Sequence, residues 1–284
     1  MGTELQRRGV DVTLPLWSAR AMASAPEVVK AIHRDYITAG ARILTANTFR
    51  TTTFAFQHAG LDIKTARETA RQATYSAVSL AQEIVRSDEQ SSILVAGSLA
   101  PVGDCYTPSD YPGRDVSQKT YSELSRWLNT SGADLLLLET QITLEEVHIA
   151  LEVSRDTGLP VLVSYLVDED MKLWAGSSLV EAVKLAEGEG ARGILINCVA
   201  LPIALKGMET LSKVAKLPYG VYANAGHNKP VTGGLINKCV TDEEYASAAR
   251  QWLELGACMI GGCCGTTPST ILAICQQLNL IEGN

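Results

Sequence analysis

The residues with most chemical capacity are two adjacent cysteines among glycines, Gly261-Gly262-Cys263-Cys264-Gly265-Thr266, and a third, Cys198, that follows Asn197. Neighbouring side chains in a strand face opposite ways. Two adjacent sulfurs therefore reach one centre only if the backbone departs from the strand, and flanking glycines accept the angles this needs. With Cys198 added from another strand end, three thiolates can surround Zn2+ and leave one tetrahedral corner open. That is the pattern of a catalytic rather than a structural zinc site. Read without Cys198, the pair is equally two small buried hydrophobes or a vicinal disulfide. Cys105, Cys239, Cys258 and Cys275 read as structural thiols, Cys258 inside a strand and Cys275 inside a helix.

The donor set points to one kind of chemistry. A free thiol is mostly protonated at neutral pH, and only its thiolate is a good nucleophile. Zinc deprotonates a thiol that binds it. Zn2+ with three cysteinates is net anionic, so it is a weak Lewis acid toward carbonyls but leaves a bound sulfur electron-rich. Neutral histidine ligands would instead suit water activation. Three thiolates with an open corner thus favour activation of a soft sulfur nucleophile.

The elements that must position these groups alternate along the chain. Short apolar runs cover Ala41–Phe49, Ser92–Ala100, Ala133–Thr140, Pro160–Val167, Gly193–Ala200, Tyr219–Gly226 and Cys258–Cys264. Each is rich in Ile, Val or Leu, as strands buried on both faces require. Amphipathic helical patterns cover Pro26–Ala39, Ile63–Ser87, Ser117–Ser131, Thr143–Thr157, Leu179–Glu189, Pro202–Ala215, Thr241–Leu255 and Pro268–Leu278. Gly40, Gly132, Gly190 and Gly256 each close a helix before the next strand, where a left-handed residue is expected. Repeated αβ units predict a parallel sheet, and seven strands with eight helices fit a (β/α)8 TIM barrel better than an open doubly wound sheet. No GxGxxG follows the first strand. Met1 to Leu16 offers no strand to precede the Pro26 helix, so the barrel is expected to lack its first strand at the N-terminus. One domain spanning 1–284 is expected.

In such a barrel, active sites occupy the C-terminal ends of the strands. These ends carry Asn47-Thr48-Phe49, Gly97-Ser98-Leu99, Glu139-Thr140, Ser164-Tyr165, Asn197-Cys198, Tyr222-Ala223-Asn224 and the Cys263-Cys264 turn.

Composition narrows the class further. Of 284 residues, 46% are hydrophobic, enough for a large core, and the net charge of −7 without a basic cluster argues against nucleic acid. No apolar run reaches the roughly 18 residues of a membrane span. Met1 to Arg8 has no signal-peptide pattern, so the cytoplasm is the default location and the cysteines read as reduced.

The chain resembles the homocysteine S-methyltransferase family. The resemblance spans nearly the whole sequence. It rests on Met1-Gly2-Thr3-Glu4-Leu5, Leu16-Trp17-Ser18, Ala46-Asn47-Thr48-Phe49, Gly97-Ser98-Leu99, Leu138-Glu139-Thr140, Ile196-Asn197-Cys198, Tyr222-Ala223-Asn224-Ala225-Gly226 and Gly261-Gly262-Cys263-Cys264-Gly265-Thr266. It implies a (β/α)8 barrel, zinc held by Cys198, Cys263 and Cys264, and methyl transfer to homocysteine. The donor it implies is an onium compound, S-methylmethionine or S-adenosylmethionine foremost, with betaine or a sulfonium propionate also compatible. It implies that Glu139 binds the amino group of homocysteine, against a plain reading as a helix-terminal charge or salt bridge. Thr48 and Asn224 are expected to add polar substrate contacts.

Phe49, Phe54, Tyr106, Tyr111, Tyr165 and Trp174 are candidates to hold the onium cation by cation–π contact, each with core or loop packing as the plain alternative. Two departures stand out. The acidic residue that ends the family's opening strand is absent, and Tyr222-Ala223-Asn224-Ala225-Gly226 replaces the usual Pro-Asn-Ser-Gly, which points to altered donor handling. His227 reads as a loop residue. Selenocysteine is the alternative acceptor, and a degenerate, non-catalytic zinc- or thiol-binding barrel the reading from another class.

Overall fold

The computed structural model describes residues 1–87, 92–226 and 239–280. His227, read above as a loop residue, lies outside them. Seven strands form one parallel sheet in chain order: β1 Ile43–Thr45, β2 Leu94–Leu99, β3 Leu135–Gln141, β4 Val161–Tyr165, β5 Gly193–Asn197, β6 Tyr219–Ala223 and β7 Met259–Gly262. The helices are α1 Gly2–Arg7, α2 Ala21–Ser24, α3 Pro26–Thr38, α4 Thr53–His58, α5 Ile63–Ser87, α6 Arg114–Thr130, α7 Leu144–Ser154, α8 Leu179–Gly188, α9 Leu201–Val214, α10 Asp242–Glu254 and α11 Pro268–Gln277. The seven strands and eight main helices fall where periodicity predicted. The short α1, α2 and α4 were not predicted, because each is too brief to establish a 3.6-residue pattern.

Local chemistry sets the boundaries. Ser178 and Glu181 form a capping box on α8, and Thr241 and Glu244 do so on α10. Gly40, Gly132, Gly190 and Gly256 all have positive φ at the ends of α3, α6, α8 and α10, as the αβ junctions predicted.

The apolar run of β3 separates by alternation. Leu136 and Leu138, both 0% exposed, pack under the helices in the main core. Leu135 and Leu137 face the concave side with Ala96 and Leu195. Residues from every strand, including Leu44, Ala96, Leu137, Leu162, Leu195, Tyr222 and Met259, line one cavity of about 890 Å³. The sheet is therefore curled around a common interior, as a TIM-like barrel lacking one strand. β1 pairs only with β2, and β7 only with β6, leaving a seam between them among the described residues. Ile43, Leu253 and Leu280 line the cavity at this side and are among the exposed large hydrophobics.

The N-terminal segment laces the rim of the seam. Thr3 Oγ1 accepts from Gly265 N (3.2 Å), and Tyr36 Oη donates to Thr266 O (3.3 Å). On the β1 side, Asn47 Nδ2 donates to Ser18 O (2.8 Å). Met1 to Leu16 holds helix α1 and turns but no strand, in agreement with the sequence reading.

Cys258 corrects an expectation. It precedes β7 rather than lying inside a core strand, and it is exposed, with its thiol donating to Tyr219 O (3.3 Å). The apolar run carried it into the predicted strand; Cys258 N does donate to Tyr219 O (3.0 Å), but the paired register with β6 starts one residue later, at Met259.

No helix among the described residues is long and apolar enough to cross a membrane. The join between β6 and β7 is tight: a Cβ on Gly220 would lie 2.0 Å from Met259 O. Gly220→Ala should push the two strands apart and destabilise the protein by on the order of 1–3 kcal/mol, read from the urea midpoint. An unchanged midpoint would contradict this packing.

Candidate thiolate site at the strand ends

Strands β5, β6 and β7 end in step. Asn197 is opposite Tyr222, Tyr222 opposite Gly261 and Ala223 opposite Gly262. Cys198 and the Cys263-Cys264 pair therefore leave the sheet at one height. Cys198 then turns with φ 62°, a left-handed conformation that residues with a Cβ seldom adopt. The Asn197 side chain supports this turn from beneath. Its Oδ1 accepts from Ser164 Oγ (2.6 Å) and Thr140 N (3.1 Å), and its Nδ2 donates to Thr140 Oγ1 (2.9 Å). Thr140 itself has φ 57°.

The adjacent cysteines converge because strand alternation stops between them. Cys263 N is still on the ladder, donating to Ala223 O (2.8 Å). Cys264 N instead donates to Asn224 Oδ1 (3.1 Å), and Ala225 N donates back to Cys264 O (2.9 Å). Thr266 closes the turn, with N (3.3 Å) and Oγ1 (2.7 Å) both donating to Cys263 O. Gly262 is required here, since a Cβ would lie 2.4 Å from Thr266 Oγ1. From α10, Tyr245 Oη sits between Ala223 O (2.8 Å) and Gly261 O (2.9 Å), locking the ends of β6 and β7 together.

The three Sγ atoms lie within 4.8 Å of one another, with 4.0 Å between Cys198 and Cys264 and 3.9 Å between Cys263 and Cys264. Sulfurs at about 2.3 Å from a tetrahedral zinc are about 3.8 Å apart. The donor set and its spacing thus fit zinc. Hydrogen bonds from Cys198 and Cys263 pull the Cys264 thiol below its ordinary range. Those contacts, with burial, hold Cys198 above it. Tyr106 Oη lies 3.0 Å from Cys198 Sγ. Burial, then the neighbouring Cys198, raises its phenol, so it stays protonated and can donate to the sulfur.

Glu139 shares the cavity with the sulfurs. Its carboxylate accepts from Ser98 Oγ. It faces the cavity yet is hemmed in by protein, and this desolvation raises its pKa from 4.5 to about 7. Among the described residues, buried polar atoms on the cavity wall without a hydrogen-bond partner include His33 Nε2, Asn47 Oδ1 and Arg50 Nε. Orphaned polar atoms are rare in a finished interior, and here they cluster where a polar ligand could meet them. Asn47 was legible from sequence as a strand-end residue, Arg50 was not named, and His33 lies inside α3, where it reads as an ordinary helix residue.

The other expected contacts are placed differently. The Thr48 side chain is 0% exposed, absent from the cavity wall, and bridges β1 and β2: Oγ1 donates to Ser98 O (3.0 Å) and accepts from Ser98 N (2.9 Å). Asn224 is likewise fully buried, holding Cys264 rather than lining the cavity. Of the six aromatics, Phe49, Tyr106 and Trp174 line the cavity, and Tyr106 and Trp174 meet edge to face at 5.5 Å. Phe54 packs on His58, Tyr165 Oη donates to Ala182 O behind β4, and Tyr111 is off the wall. Cys105 is buried on the wall, its thiol pushed up to about 12 by burial.

The Glu139 shift carries a sign. The folded protein keeps a proton that the unfolded chain releases, so stability should fall as pH rises from about 4.5 to about 7. Glu139→Gln should flatten that slope, as read from urea midpoints on either side of the window. A variant with the wild-type slope would place the shift elsewhere.

The profile described as Homocysteine S-methyltransferase matches residues 1–278. Homocysteine S-methyltransferase 3 of Arabidopsis thaliana is 31% identical, over 98% of this chain and 87% of its own. Selenocysteine Se-methyltransferase of Brassica oleracea var. italica is 29% identical over the same shares. The homocysteine methyltransferase MmuM of Escherichia coli, in its metallated crystal form, superposes with a TM-score of 0.83 at 28% identity, covering 96% of this chain and 92% of that one. This chain belongs to the homocysteine S-methyltransferase family.

Proposed function

We propose that this protein is a zinc-dependent methyltransferase that moves a methyl group from an onium donor to the thiol of homocysteine, giving methionine. One observation carries the reading: three sulfurs at zinc-ligand spacing face a cavity that also presents a recessed carboxylate. Cys198, Cys263 and Cys264 are assigned as the metal ligands. Zinc held by three thiolates supplies the deprotonation of an incoming thiol.

The chain's own residues do the rest. Glu139 receives the ammonium group of the amino acid, which restores a charge partner to a desolvated carboxylate. Tyr106, donating to Cys198, helps spread the negative charge of the sulfur cluster. Phe49, Tyr106 and Trp174 offer aromatic surface to the donor cation. In the transfer, the acceptor sulfur's electron pair forms the new S–CH3 bond as the donor's bond to that methyl breaks. Donor cation and thiolate cancel charge as they react, so a recessed, largely apolar wall favours the step over the separated ions. S-Methylmethionine or S-adenosylmethionine is the donor we favour. We read the sheet as seven staves of a (β/α)8 barrel in one domain, with the seam as the place of the first strand.

The test is zinc content after purification under reducing conditions, followed by methionine formation from L-homocysteine with each donor. We expect about one zinc per chain and turnover with at least one donor. Cys198→Ala, Cys263→Ala and Cys264→Ala should each lose both. Zinc-free wild-type protein, or a Cys264→Ala variant with full zinc and turnover, overturns the assignment. Relatives named as selenocysteine methyltransferases support a second acceptor. Faster methylation of selenocysteine than of homocysteine would establish it. Zinc without turnover toward either acceptor would instead favour a non-catalytic barrel.

A further inference from the structure

Among the described residues, the guanidinium groups on the cavity wall belong to Arg42 and Arg50. Arg42 precedes β1, at the end of the sheet away from the sulfurs. Arg50 follows Phe49 on the segment after β1, at the same rim as Cys198, Cys263 and Glu139.

Arg50 is anchored but not neutralised. Its Nη1 donates to Gly103 O (2.8 Å), which fixes the group against the segment after β2. Its guanidinium carbon sits 5.6 Å from the Phe49 ring centroid. Its Nε is buried and has no partner. No carboxylate among the described residues lies within ion-pair distance of it. Asp104, the other acid on this part of the wall, accepts from Tyr106 N (2.8 Å) instead. By contrast Arg7 and Arg8, also at the rim side, both bind Glu4, and Arg8 also binds Asp35. A partly buried guanidinium with a free Nε–H is a fork suited to a planar anion.

We infer that Arg50 reads the carboxylate of the α-amino acid bound in this cavity. The inference rests on the acceptor reading above and extends it: sulfur to the cysteine cluster, ammonium to Glu139 and carboxylate to Arg50. Arg50 follows β1 and Glu139 lies in β3, with Ser98 of β2 holding the Glu139 carboxylate between them. The two charges thus flank one stretch of rim. They are of opposite sign, as the two ends of a zwitterion require. A thiol lacking the carboxylate would leave the guanidinium desolvated and unpaired, so the site would discriminate against it.

A carboxylate could come from the acceptor or from an amino-acid donor, and the experiment separates the two. Binding of L-homocysteine, of 3-aminopropane-1-thiol, its counterpart without the carboxylate, and of S-methylmethionine is measured by calorimetry on zinc-loaded wild type, Arg50→Gln and Arg50→Lys. Wild type should prefer homocysteine by roughly 10- to 100-fold. Arg50→Gln should erase that preference by weakening homocysteine alone, and Arg50→Lys should keep part of it. Zinc content and the unfolding midpoint of each variant report whether the site stays intact.

An Arg50→Gln protein that keeps its zinc and its preference for homocysteine overturns the inference. So does an effect confined to affinity for S-methylmethionine, which would assign Arg50 to the donor. A wild-type protein that binds neither thiol overturns the acceptor reading and this inference together. Binding of both thiols with equal affinity overturns only the latter.

Discussion

Three sulfurs from two strands must meet within 4.8 Å, and the rest of this rim is arranged around that requirement. Thiols of adjacent residues point apart in a regular strand, and thiols two strands apart are separated by the width of β6. Both obstacles are removed by backbone geometry. Cys198 takes a left-handed turn, and Cys264 leaves the ladder at the residue after Cys263. Neither conformation is favourable in isolation. Two asparagines stabilise them: Asn197, ending β5, holds the Thr140 and Ser164 wall under Cys198, and Asn224, following β6, holds Cys264 N. These amides therefore act on the sulfurs through position.

The cavity combines an apolar floor with an unfinished polar rim. Ala96, Leu135, Leu137 and Leu195 fill the concave face, so little water can compete for charges above them. On that rim, a carboxylate, a guanidinium and several orphaned atoms of mixed donor and acceptor character occur together. A core built only for stability would pair such groups internally. Here burial outweighs the hydrogen bond from Ser98 and holds the Glu139 pKa at about 7 rather than 4.5. A cationic ligand group would reverse that balance.

Both edges of the sheet carry part of this rim. β1 leads to Phe49 and Arg50, and β7 leads to Cys263 and Cys264, yet these two strands do not pair. Their relation is maintained from above by α1, the Trp17–Arg20 turn and α3, through Thr3, Ser18 and Tyr36. Open strand edges and exposed Ile43 and Leu280 are a liability for association. The geometry of the site therefore depends on side-chain bonds at the top of the seam, where a closed barrel would use a continuous ladder.

The order of elements was legible in the sequence because β-strands buried on both faces and amphipathic helices have distinct periods. The glycines at the αβ junctions marked the boundaries. The three cysteines and Glu139 were legible because polar residues ending apolar strands are conspicuous and because their motifs are specific. For Thr48 and Asn224, residue type signalled hydrogen-bonding capacity, but only packing decided that it is spent on the backbone of Ser98 and Cys264. The same holds for the aromatics, of which three face the cavity and three do not. Arg50 carried no sequence signal, and Tyr106 was legible only as one of six aromatics, not as the partner of Cys198. Their importance arises from contacts with Gly103 and Cys198, residues distant along the chain, and only the curled sheet brings them to one rim.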